Sequence, residues 1–308
     1  MNGKTRSVLS QTDLHLHSSV SPDGEVSPRG MAELCCQRGV TLAALTDHNA
    51  VAGTEEFIWR SAQLGVRSVS GIELDCTFSG QTLHLLGYGI RITDTALLHA
   101  LQEVQVRQKV AGRRLLDAVE ALGIRFDRER VLELAGDGAV CAEQIAYDAL
   151  THAENRRHPL LKPLWESDAP AGCTPLQFYR TLCAPGKPAH VPVEYMTAEQ
   201  AVQLLHGAGG LAVLAHPGAS LPDTVLPDAL MQLSLDGIEA FSSYHTAAQA
   251  EKFAAQAQAH DLLLTGGSDF HGRSKPDIQV GDVEWLGRED ELRTNFLAAV
   301  NDLTHNDR

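Results

Sequence analysis

The chain has 308 residues, which is enough to bury one large core, and its formal net charge is −14. Such an acidic chain lacks the clustered lysines and arginines that bind long nucleic acids, so we expect no long nucleic acid partner. No apolar run approaches the length of a signal-peptide core or a transmembrane helix, which argues against a membrane location. The six cysteines form no C-x-x-C pair, and we interpret them as reduced thiols of a cytoplasmic protein.

Short apolar runs alternate with helical patterns in the first part of the chain, as is typical of a parallel α/β architecture. The predicted elements are strand Thr12–His17, helix Ser27–Gln37, strand Leu42–Leu45, helix Thr54–Leu64 and strand Arg67–Ile72. The stretch Cys76–Gly89 then breaks this rhythm, and Ser79-Gly80 predicts a turn between two extended pieces.

A long helical pattern from Asp94 to about Leu122 follows, with further helical pieces near Arg128–Leu134 and Glu143–Leu150. Prolines at positions 159, 163, 170 and 175 then rule out one long regular element. We interpret this part of the chain as a mostly helical insertion that forms a wall of the substrate site.

Strand and helix patterns alternate again in the last third of the chain. The predicted elements are helix Ala198–Leu205, strand Leu211–Ala215, strand Gly237–Phe241, helix Ala247–Ala259, strand Leu262–Thr265 and a helix near Asp290–Leu303. Seven strands are too few for the usual eight-stranded barrel. The predicted division is a barrel of two parts, residues 8–92 and 189–305, with the insertion at 93–188.

Possible metal ligands accompany nearly every predicted strand. Asp13, His15 and His17 share one face of the first strand because side chains alternate along a strand. The same association recurs with later strands, at Asp47, His48, Glu73, His84, His216, Asp269 and His271. Since active sites lie at the carboxyl ends of parallel strands, we expect these side chains to converge.

The motifs TDLHLHSSVSPDG, TDHN, GIEL, LHLLGYG, LAHPG and GGSDFHG resemble, in order and spacing, the PHP (polymerase and histidinol phosphatase) family of metal-dependent phosphoesterases. The resemblance covers Ser10–Arg91 and Ala198–His271. It implies a distorted (β/α)7 TIM-like barrel that binds two or three divalent ions at the carboxyl ends of its strands.

The resemblance also implies which residues hold the ions. The first ion would take His15, His17, Glu73 and Asp269, and the second would share Glu73 and add His84 and His216. The third would take Asp23, His48 and His271, although Asp23 is also a plausible turn residue before Gly24. Asp13 and Asp47 would instead accept hydrogen bonds and orient neighbouring histidines.

A formal charge count favours a phosphate substrate. Three divalent ions, three carboxylates and a bridging hydroxide leave a net charge near +2, which suits a phosphate dianion. Mixed nitrogen and oxygen ligands favour manganese, with iron or zinc as alternatives. The expected mechanism is hydrolysis of a P–O bond by a water that the ions activate.

The candidate catalytic residues are Asp269 and His245, the latter following a predicted strand as either a general acid or a phosphate ligand. An exposed histidine at a helix start is an equally good interpretation of His245. Positive charges in the insertion are candidates for binding a distal phosphate, and these are Arg156, Arg157, His158 and Lys187.

One segment departs from the family. Many relatives that act on nucleotides or oligonucleotides carry an arginine and a histidine in the insertion, where this chain reads CAEQIA at Cys141–Ala146. Ala142 and Gln144 stand at those two positions, so we expect a phosphorylated ribose, including its cyclic phosphodiester, rather than a nucleotide.

Other function classes remain open. A nucleoside 3′,5′-bisphosphate phosphatase or short-oligonucleotide exonuclease is the main alternative to the phosphorylated ribose. An amidohydrolase-type C–N hydrolase is a further one, although we see no lysine at a strand end among the motifs. A non-catalytic metal-binding module is disfavoured by the intact set of ligands.

Overall fold

The computed structural model describes residues 10–166, 173–221 and 226–306. Residues 8 and 9 of the first predicted barrel segment and the predicted break at Pro170 lie outside these ranges. One sheet of eight strands organises the molecule. Its strands are β1 (Thr12–Leu16), β2 (Leu42–Leu45), β3 (Arg67–Phe78), β4 (Gln81–Tyr88), β5 (Met196–Thr197), β6 (Leu211–Leu214), β7 (Gly237–Ser242) and β8 (Leu263–Gly267).

Seven of these strands follow one another around a nearly closed barrel, in the order β1-β2-β3-β4-β6-β7-β8. A parallel bridge between Leu16 and Phe270 connects the two ends of this path. The strands are parallel except β4, which is antiparallel to both β3 and β6. The predicted seven-stranded α/β barrel is therefore confirmed, and the two-residue strand β5, which pairs with β3, adds to it.

Strand β3 is longer than predicted. The sequence predicted a strand ending at Ile72 and a separate extended piece from Cys76, whereas the structure has one strand from Arg67 to Phe78. The turn after it explains this length. Ser79 and Gly80 both have positive φ, 49° and 79°, the combination that joins two antiparallel strands in a tight hairpin. Phe78 therefore pairs with Gln81, and the ladder continues without interruption to Gly71 and Tyr88.

Helices surround the barrel and form most of the segment between β4 and β5. They are α1 (Pro28–Gln37), α2 (Thr54–Gln63), α3 (Thr95–Ala121), α4 (Arg128–Ala135), α5 (Ala142–Ala149), α6 (Lys162–Trp165), α7 (Pro175–Phe178), α8 (Ala198–Gly207), α9 (Pro217–Ser220), α10 (Asp228–Met231), α11 (Ala247–Ala259) and α12 (Glu289–Asn306). Several begin at capping residues that the sequence displays, such as Ser27 before Pro28 and Asp94 before α3. Within the described residues, no helix combines the length and apolar character needed to cross a membrane.

Helix α3 connects two hydrophobic cores. Leu97 and Leu101 in its first turns pack into the core that contains Ile72 and Leu85 of the barrel. Leu116, in its second half, packs instead with buried residues of the helical segment. Because the segment has a core of its own, it can hold α5 in a fixed position beside the barrel. The predicted boundaries at residues 93 and 188 stay predictions.

Candidate metal centre

The strands of the barrel place the predicted ligands at one end. His15 and His17 are fully buried on β1 and just after it, and Glu73 and His84 lie on the hairpin strands β3 and β4. His216 follows β6, while Asp269 and His271 follow β8. Asp269 has φ 57°, a left-handed conformation that aspartate tolerates better than most residues.

A first group of atoms converges on one oxygen of Glu73. Its Oε2 lies 3.1 Å from His15 Nε2 and 3.1 Å from His17 Nε2. Oδ1 of Asp269 lies 3.3 Å from the same nitrogen of His15 and 3.0 Å from that of His17. All four side chains predicted for the first ion therefore lie together, with atoms spaced closely enough to hold one metal ion.

A second group converges on the other oxygen of Glu73. Its Oε1 lies 2.9 Å from His84 Nδ1 and 3.0 Å from His216 Nε2. Each oxygen of this buried carboxylate thus faces a different set of histidines. That is the arrangement required of a carboxylate that bridges two ions.

His271 contacts both other residues predicted for the third ion, although the three do not form one set of ligand atoms. His271 Nε2 lies 3.2 Å from Asp23 Oδ2, and the His271 ring stacks on His17 at 3.9 Å between centroids. His48 joins His17 and His271 in a further set of ligand atoms close enough to hold an ion. Asp23 therefore faces the cluster through His271.

Polar atoms without hydrogen bonds support a metal at this end of the barrel. Buried polar atoms are normally paired, yet several inward-facing atoms form no hydrogen bond within the described ranges. They are His17 Nε2, Asp23 Oδ1, His48 Nδ1, Asp75 Oδ1, Asp269 Oδ1 and His271 Nε2. Ligands about 2.1 Å from one ion lie about 3.0–3.4 Å apart. The spacings around Glu73 match that range, so the residues present fit divalent ions.

The charges of the cluster agree with this interpretation. Burial, with the nearby His271 and His48, lowers the pKa of His17 to about 4, so its ring is in the neutral form that binds metals. Burial also disfavours a proton on His48, but Glu73 and Asp75 outweigh it and raise the pKa of His48 to about 10. The carboxylates therefore attract positive charge here, and we expect metal binding to release protons.

Outer carboxylates hold these ligands in place. Glu239 on β7 contacts His15 Nδ1 at 3.0 Å and accepts a hydrogen bond from the His216 backbone N–H at 2.8 Å. Glu239 was missed in the sequence, although one acidic residue within the apolar run GIEAF was a signal. Asp13 accepts from the backbone N–H groups of Ser268 and Gly281, so it braces the backbone rather than a histidine ring.

Asp47 is connected to the ligand histidines through hydrogen bonds with serines. It accepts from the Ser18 backbone N–H at 2.6 Å and from the Ser21 hydroxyl at 3.1 Å. The Ser21 hydroxyl in turn lies 3.1 Å from His17 Nδ1 and accepts from the His48 backbone N–H. The serines of SSVS therefore connect Asp47 to two of the histidines.

Two further residues at the centre were not predicted. Lys275 Nζ and Tyr244 Oη both donate to Asp269 Oδ2 at 2.6 Å, and the lysine lies 5.3 Å from the tyrosine ring centroid. Lys275 lies beyond the end of β8 and beyond the last motif, so a search of the strand ends for lysines did not find it. Lys275 follows the last motif by only a few residues, in a short 3₁₀ turn region that strand patterns do not reveal.

The structure does not bring His245 into the cluster. Its Nδ1 contacts the Ala240 carbonyl at 2.8 Å, and its Nε2 accepts from the Gly218 backbone N–H at 3.0 Å. Both ring nitrogens are therefore committed to backbone groups, and the ring packs against Phe253. This geometry argues against a general acid. It indicates that His245 connects β7 to the loop after β6 through hydrogen bonds.

The positive charges of the insertion also lie elsewhere. Arg156 stacks over Trp165 at 5.1 Å, and His158 Nε2 contacts the Leu122 carbonyl at 2.9 Å. Arg157 and Lys187 are exposed. No contact found among the described residues connects any of these four side chains to the cluster.

Helix α5 brings the CAEQIA segment to the edge of the cluster. Gln144 Nε2 donates to the Pro22 carbonyl at 2.8 Å, next to Asp23 in the sequence. Its Oε1 accepts from the Cys141 backbone N–H at 3.1 Å, which caps the helix. Further along α5, the Tyr147 hydroxyl contacts Ser274 at 2.7 Å. The start of α5 thus holds the loop that carries Asp23.

Comparisons with known proteins agree with this geometry. A model of the PHP domain matches residues 13–139. The chain is 34% identical over 263 residues to a phosphoribosyl 1,2-cyclic phosphate 1,2-diphosphodiesterase of Eggerthella lenta, covering 85% of this chain and 94% of that one. It is 30% identical over 286 residues to a 3′,5′-nucleoside bisphosphate phosphatase of Chromobacterium violaceum, covering 90% and 93%.

Solved structures have the same fold. An amidohydrolase of Chromobacterium violaceum, determined with bound sulfate, superposes with a TM-score of 0.73 at 28% identity, covering 92% of this chain and 96% of that one. A candidate metal-dependent phosphoesterase of Bifidobacterium adolescentis superposes with a TM-score of 0.74 at 23% identity, covering 88% and 91%. The barrel and its cluster define a metal-dependent phosphoesterase. The chain belongs to the PHP family, as its motifs predicted.

Proposed function

We propose that this phosphoesterase acts on a phosphorylated ribose, including its cyclic phosphodiester, with two or three divalent ions. The observation that carries the metal assignment is the pair of histidine groups on the two oxygens of Glu73. The proposed ligands are His15, His17, Asp23, His48, Glu73, His84, His216, Asp269 and His271. Bound ions would activate water and neutralise the phosphate. Manganese fits the mixed ligands, and Fe²⁺ or Zn²⁺ remain alternatives.

The protein's own residues would orient this chemistry. Glu239 holds the His15 ring through Nδ1, which fixes Nε2 as the nitrogen that faces Glu73 and Asp269. Lys275 and Tyr244 occupy Asp269 Oδ2, which leaves Oδ1 for an ion. Lys275 also supplies a positive charge beside the cluster, which would favour the phosphate group of a bound substrate.

The start of α5 supports a ribose phosphate. Ala142 carries no charge, and Gln144 is committed to the Pro22 carbonyl, so neither side chain is available to bind a second phosphate. Between them, Glu143 has a pKa raised to about 7 by burial and by the negative charge of Asp23. A carboxyl group at this edge can accept a hydrogen bond from a sugar hydroxyl, and its ionised form would repel another phosphate.

The relatives support two substrates. The one at 34% identity is named for a cyclic phosphate of phosphoribose, which supports the proposed substrate class. The one at 30% identity is named for nucleoside 3′,5′-bisphosphates and matches 90% of this chain. A nucleoside 3′,5′-bisphosphate is therefore the second candidate. For the partner we propose a small phosphorylated molecule, and the cytoplasmic location stays a prediction from the sequence.

A substrate panel tests this proposal. The manganese-loaded enzyme is offered ribose phosphates, a ribose cyclic phosphodiester and a nucleoside 3′,5′-bisphosphate, with release of inorganic phosphate and loss of the cyclic ester as readouts. We expect the highest kcat/KM on a ribose phosphate or its cyclic ester. A preference for the bisphosphate over every ribose compound would select the second candidate. The Glu73→Gln variant and chelated enzyme are the controls for contaminating phosphatase.

A further inference from the structure

Asp75 lies at the metal centre although no motif of the sequence pointed to it. It is two residues after Glu73 on β3, and the alternation of a strand puts both carboxylates on one face. It also pairs across the hairpin with His84. Only 7% of Asp75 is exposed, so its charge requires compensation by nearby groups.

The two carboxylate oxygens of Asp75 have different surroundings. Oδ2 accepts hydrogen bonds from Asn49 Nδ2 at 2.8 Å and from Gln108 Nε2 at 3.3 Å. The Asp75 backbone N–H donates to Asn49 Oδ1, so Asn49 holds both the side chain and the backbone of Asp75. Oδ1 forms no hydrogen bond within the described chain. It lies 3.2 Å from His48 Nδ1 and 3.5 Å from His84 Nε2.

Asp269 has the same asymmetry. Its Oδ2 accepts from Tyr244 and Lys275, and its Oδ1, likewise without a hydrogen bond, faces His15 and His17. In both residues fixed donors occupy the outer oxygen and leave the inner oxygen directed at two imidazole nitrogens. Outer partners of this kind orient a carboxylate that binds a metal through one oxygen.

We propose that Asp75 is a direct metal ligand, and that His48, Asp75 and His84 bound a position for a divalent ion. The three atoms lie close enough to share one ion, and the 3.2 Å between Asp75 Oδ1 and His48 Nδ1 is the spacing of two ligands about 2.1 Å from one metal. Two nitrogens and one oxygen suit manganese, iron or zinc. This inference rests on the metal centre of the proposed function and adds a fourth carboxylate to it.

The ligand would also tie the insertion to the metal centre. Gln108 lies on α3, and its amide reaches Asp75 Oδ2. Asn49 lies in the loop after β2, and its backbone carbonyl accepts from Gln105 Nε2, also on α3. Metal binding at Asp75 would therefore order the loop after β2 and the side of α3 that faces the barrel.

Metal titration tests the role of Asp75. Apoprotein is titrated with Mn²⁺, and bound metal is measured by elemental analysis after removal of free ions. We expect Asp75→Asn to bind one ion fewer per chain than the wild type. Asp94→Asn removes the same charge at a helix cap outside the cluster and should bind as the wild type does, since asparagine caps equally well.

The outcomes separate the two proposals. A wild type that binds no metal would overturn the proposed metal centre itself. An Asp75→Asn variant that keeps the full number of ions, even with weaker affinity, would overturn the ligand role alone, because an orienting acceptor changes affinity and not stoichiometry.

A spectroscopic test does not depend on how well Asp75→Asn folds. In Asp75→Cys, loading with Co²⁺ should produce a thiolate-to-metal charge-transfer band, because only a sulfur bound to the ion gives one. Wild type and Asp75→Ser loaded in the same way provide the baseline, which includes any contribution from Cys141 near Asp23. Absence of an additional band in Asp75→Cys that has bound Co²⁺ would overturn the proposal.

Discussion

The end of the barrel and the start of α5 face the same cluster, but they treat their polar groups in opposite ways. At the barrel end, inward atoms such as His17 Nε2 and Asp269 Oδ1 lie near one another without hydrogen bonds. At α5, Gln144 uses both ends of its amide, on the Pro22 carbonyl and the Cys141 backbone N–H. The polar atoms at the barrel end can therefore bind a metal ion, whereas the Gln144 amide at α5 is already used in hydrogen bonds within the protein.

This difference assigns the metal chemistry to one region and the selection of the substrate to the other. Buried atoms without partners are costly, and they are maintained where a bound group completes them. The barrel end therefore carries the metal chemistry, whereas α5 fixes the loop around Asp23 and sets the shape and charge of the edge. Substitutions at the barrel end should therefore have the largest effects, and substitutions of the insertion charges the smallest.

Glu73→Gln should have the largest effect, because it removes the one carboxylate that both histidine groups face. We expect loss of bound metal and a fall in kcat/KM of more than about 100-fold, beyond the 10–100-fold typical of outer partners. Elemental analysis and phosphate release measure the two effects. Near wild-type activity in this variant would contradict the assignment of Glu73.

Glu239→Gln should have the next largest effect. The amide keeps the size of the side chain but weakens the contact that fixes His15, so we expect metal affinity to fall about 10–100-fold. The number of ions at saturating Mn²⁺ should stay the same. Asp13→Asn should behave similarly, because Asp13 braces the backbone beside His15. Unchanged affinity in both variants would show that outer carboxylates do not control this centre.

The strands and helices could be predicted from the sequence where a local pattern marks them. Short apolar runs such as Leu42–Leu45 and Leu211–Leu214 are fully buried strands, and caps such as Asp94 begin helices where expected. The reversed direction of β4 depends on the tight turn at Ser79 and Gly80, so it could be read locally. The pairing of β5 with β3 joins residues far apart in the sequence, and no local pattern reports it.

Side chains at the site were predictable where a motif carries them. The nine predicted ligands lie on the barrel strands or in the loops that follow them, and the barrel brings these positions to one of its ends. Asp75, Glu239 and Lys275 lie outside these motifs. The partners of Asp75 and Glu239, such as Gln108 and His15, are distant in the sequence, and only the fold brings them near. The prediction of His245 relied on its position after a strand, but its side chain turns to the backbone.

Lys275→Met tests the boundary between the two regions. Methionine keeps the length of the side chain and removes the charge that contacts Asp269. We expect kcat/KM to fall about 10-fold, the loss typical of one charge-assisted hydrogen bond. Tyr244→Phe, which removes the other donor to Asp269 Oδ2, is the matched variant. If both lower metal affinity equally and leave kcat at saturating metal unchanged, Lys275 only positions Asp269.

The smallest effects should come from the insertion charges. The sequence suggested that Arg156, Arg157 and Lys187 hold a distal phosphate, which would make each alanine variant lose about ten- to a hundredfold in kcat/KM. Their side chains are exposed, and Arg156 stacks on Trp165 instead. Exposed substitutions outside a site usually change a free energy by less than about 0.5 kcal/mol, so we now expect less than about a twofold loss for each.

Paired substrates decide between these two expectations. Each alanine variant is assayed on a ribose carrying a distal phosphate and on the same ribose without it, with Lys275→Met as the comparison variant beside the metal centre. Equal, small changes on both substrates support the placement of these residues in the structure. A tenfold loss confined to the substrate with the distal phosphate would restore the original prediction. It would also mean that the insertion closes over the barrel end when substrate binds, because the described contacts leave these charges elsewhere.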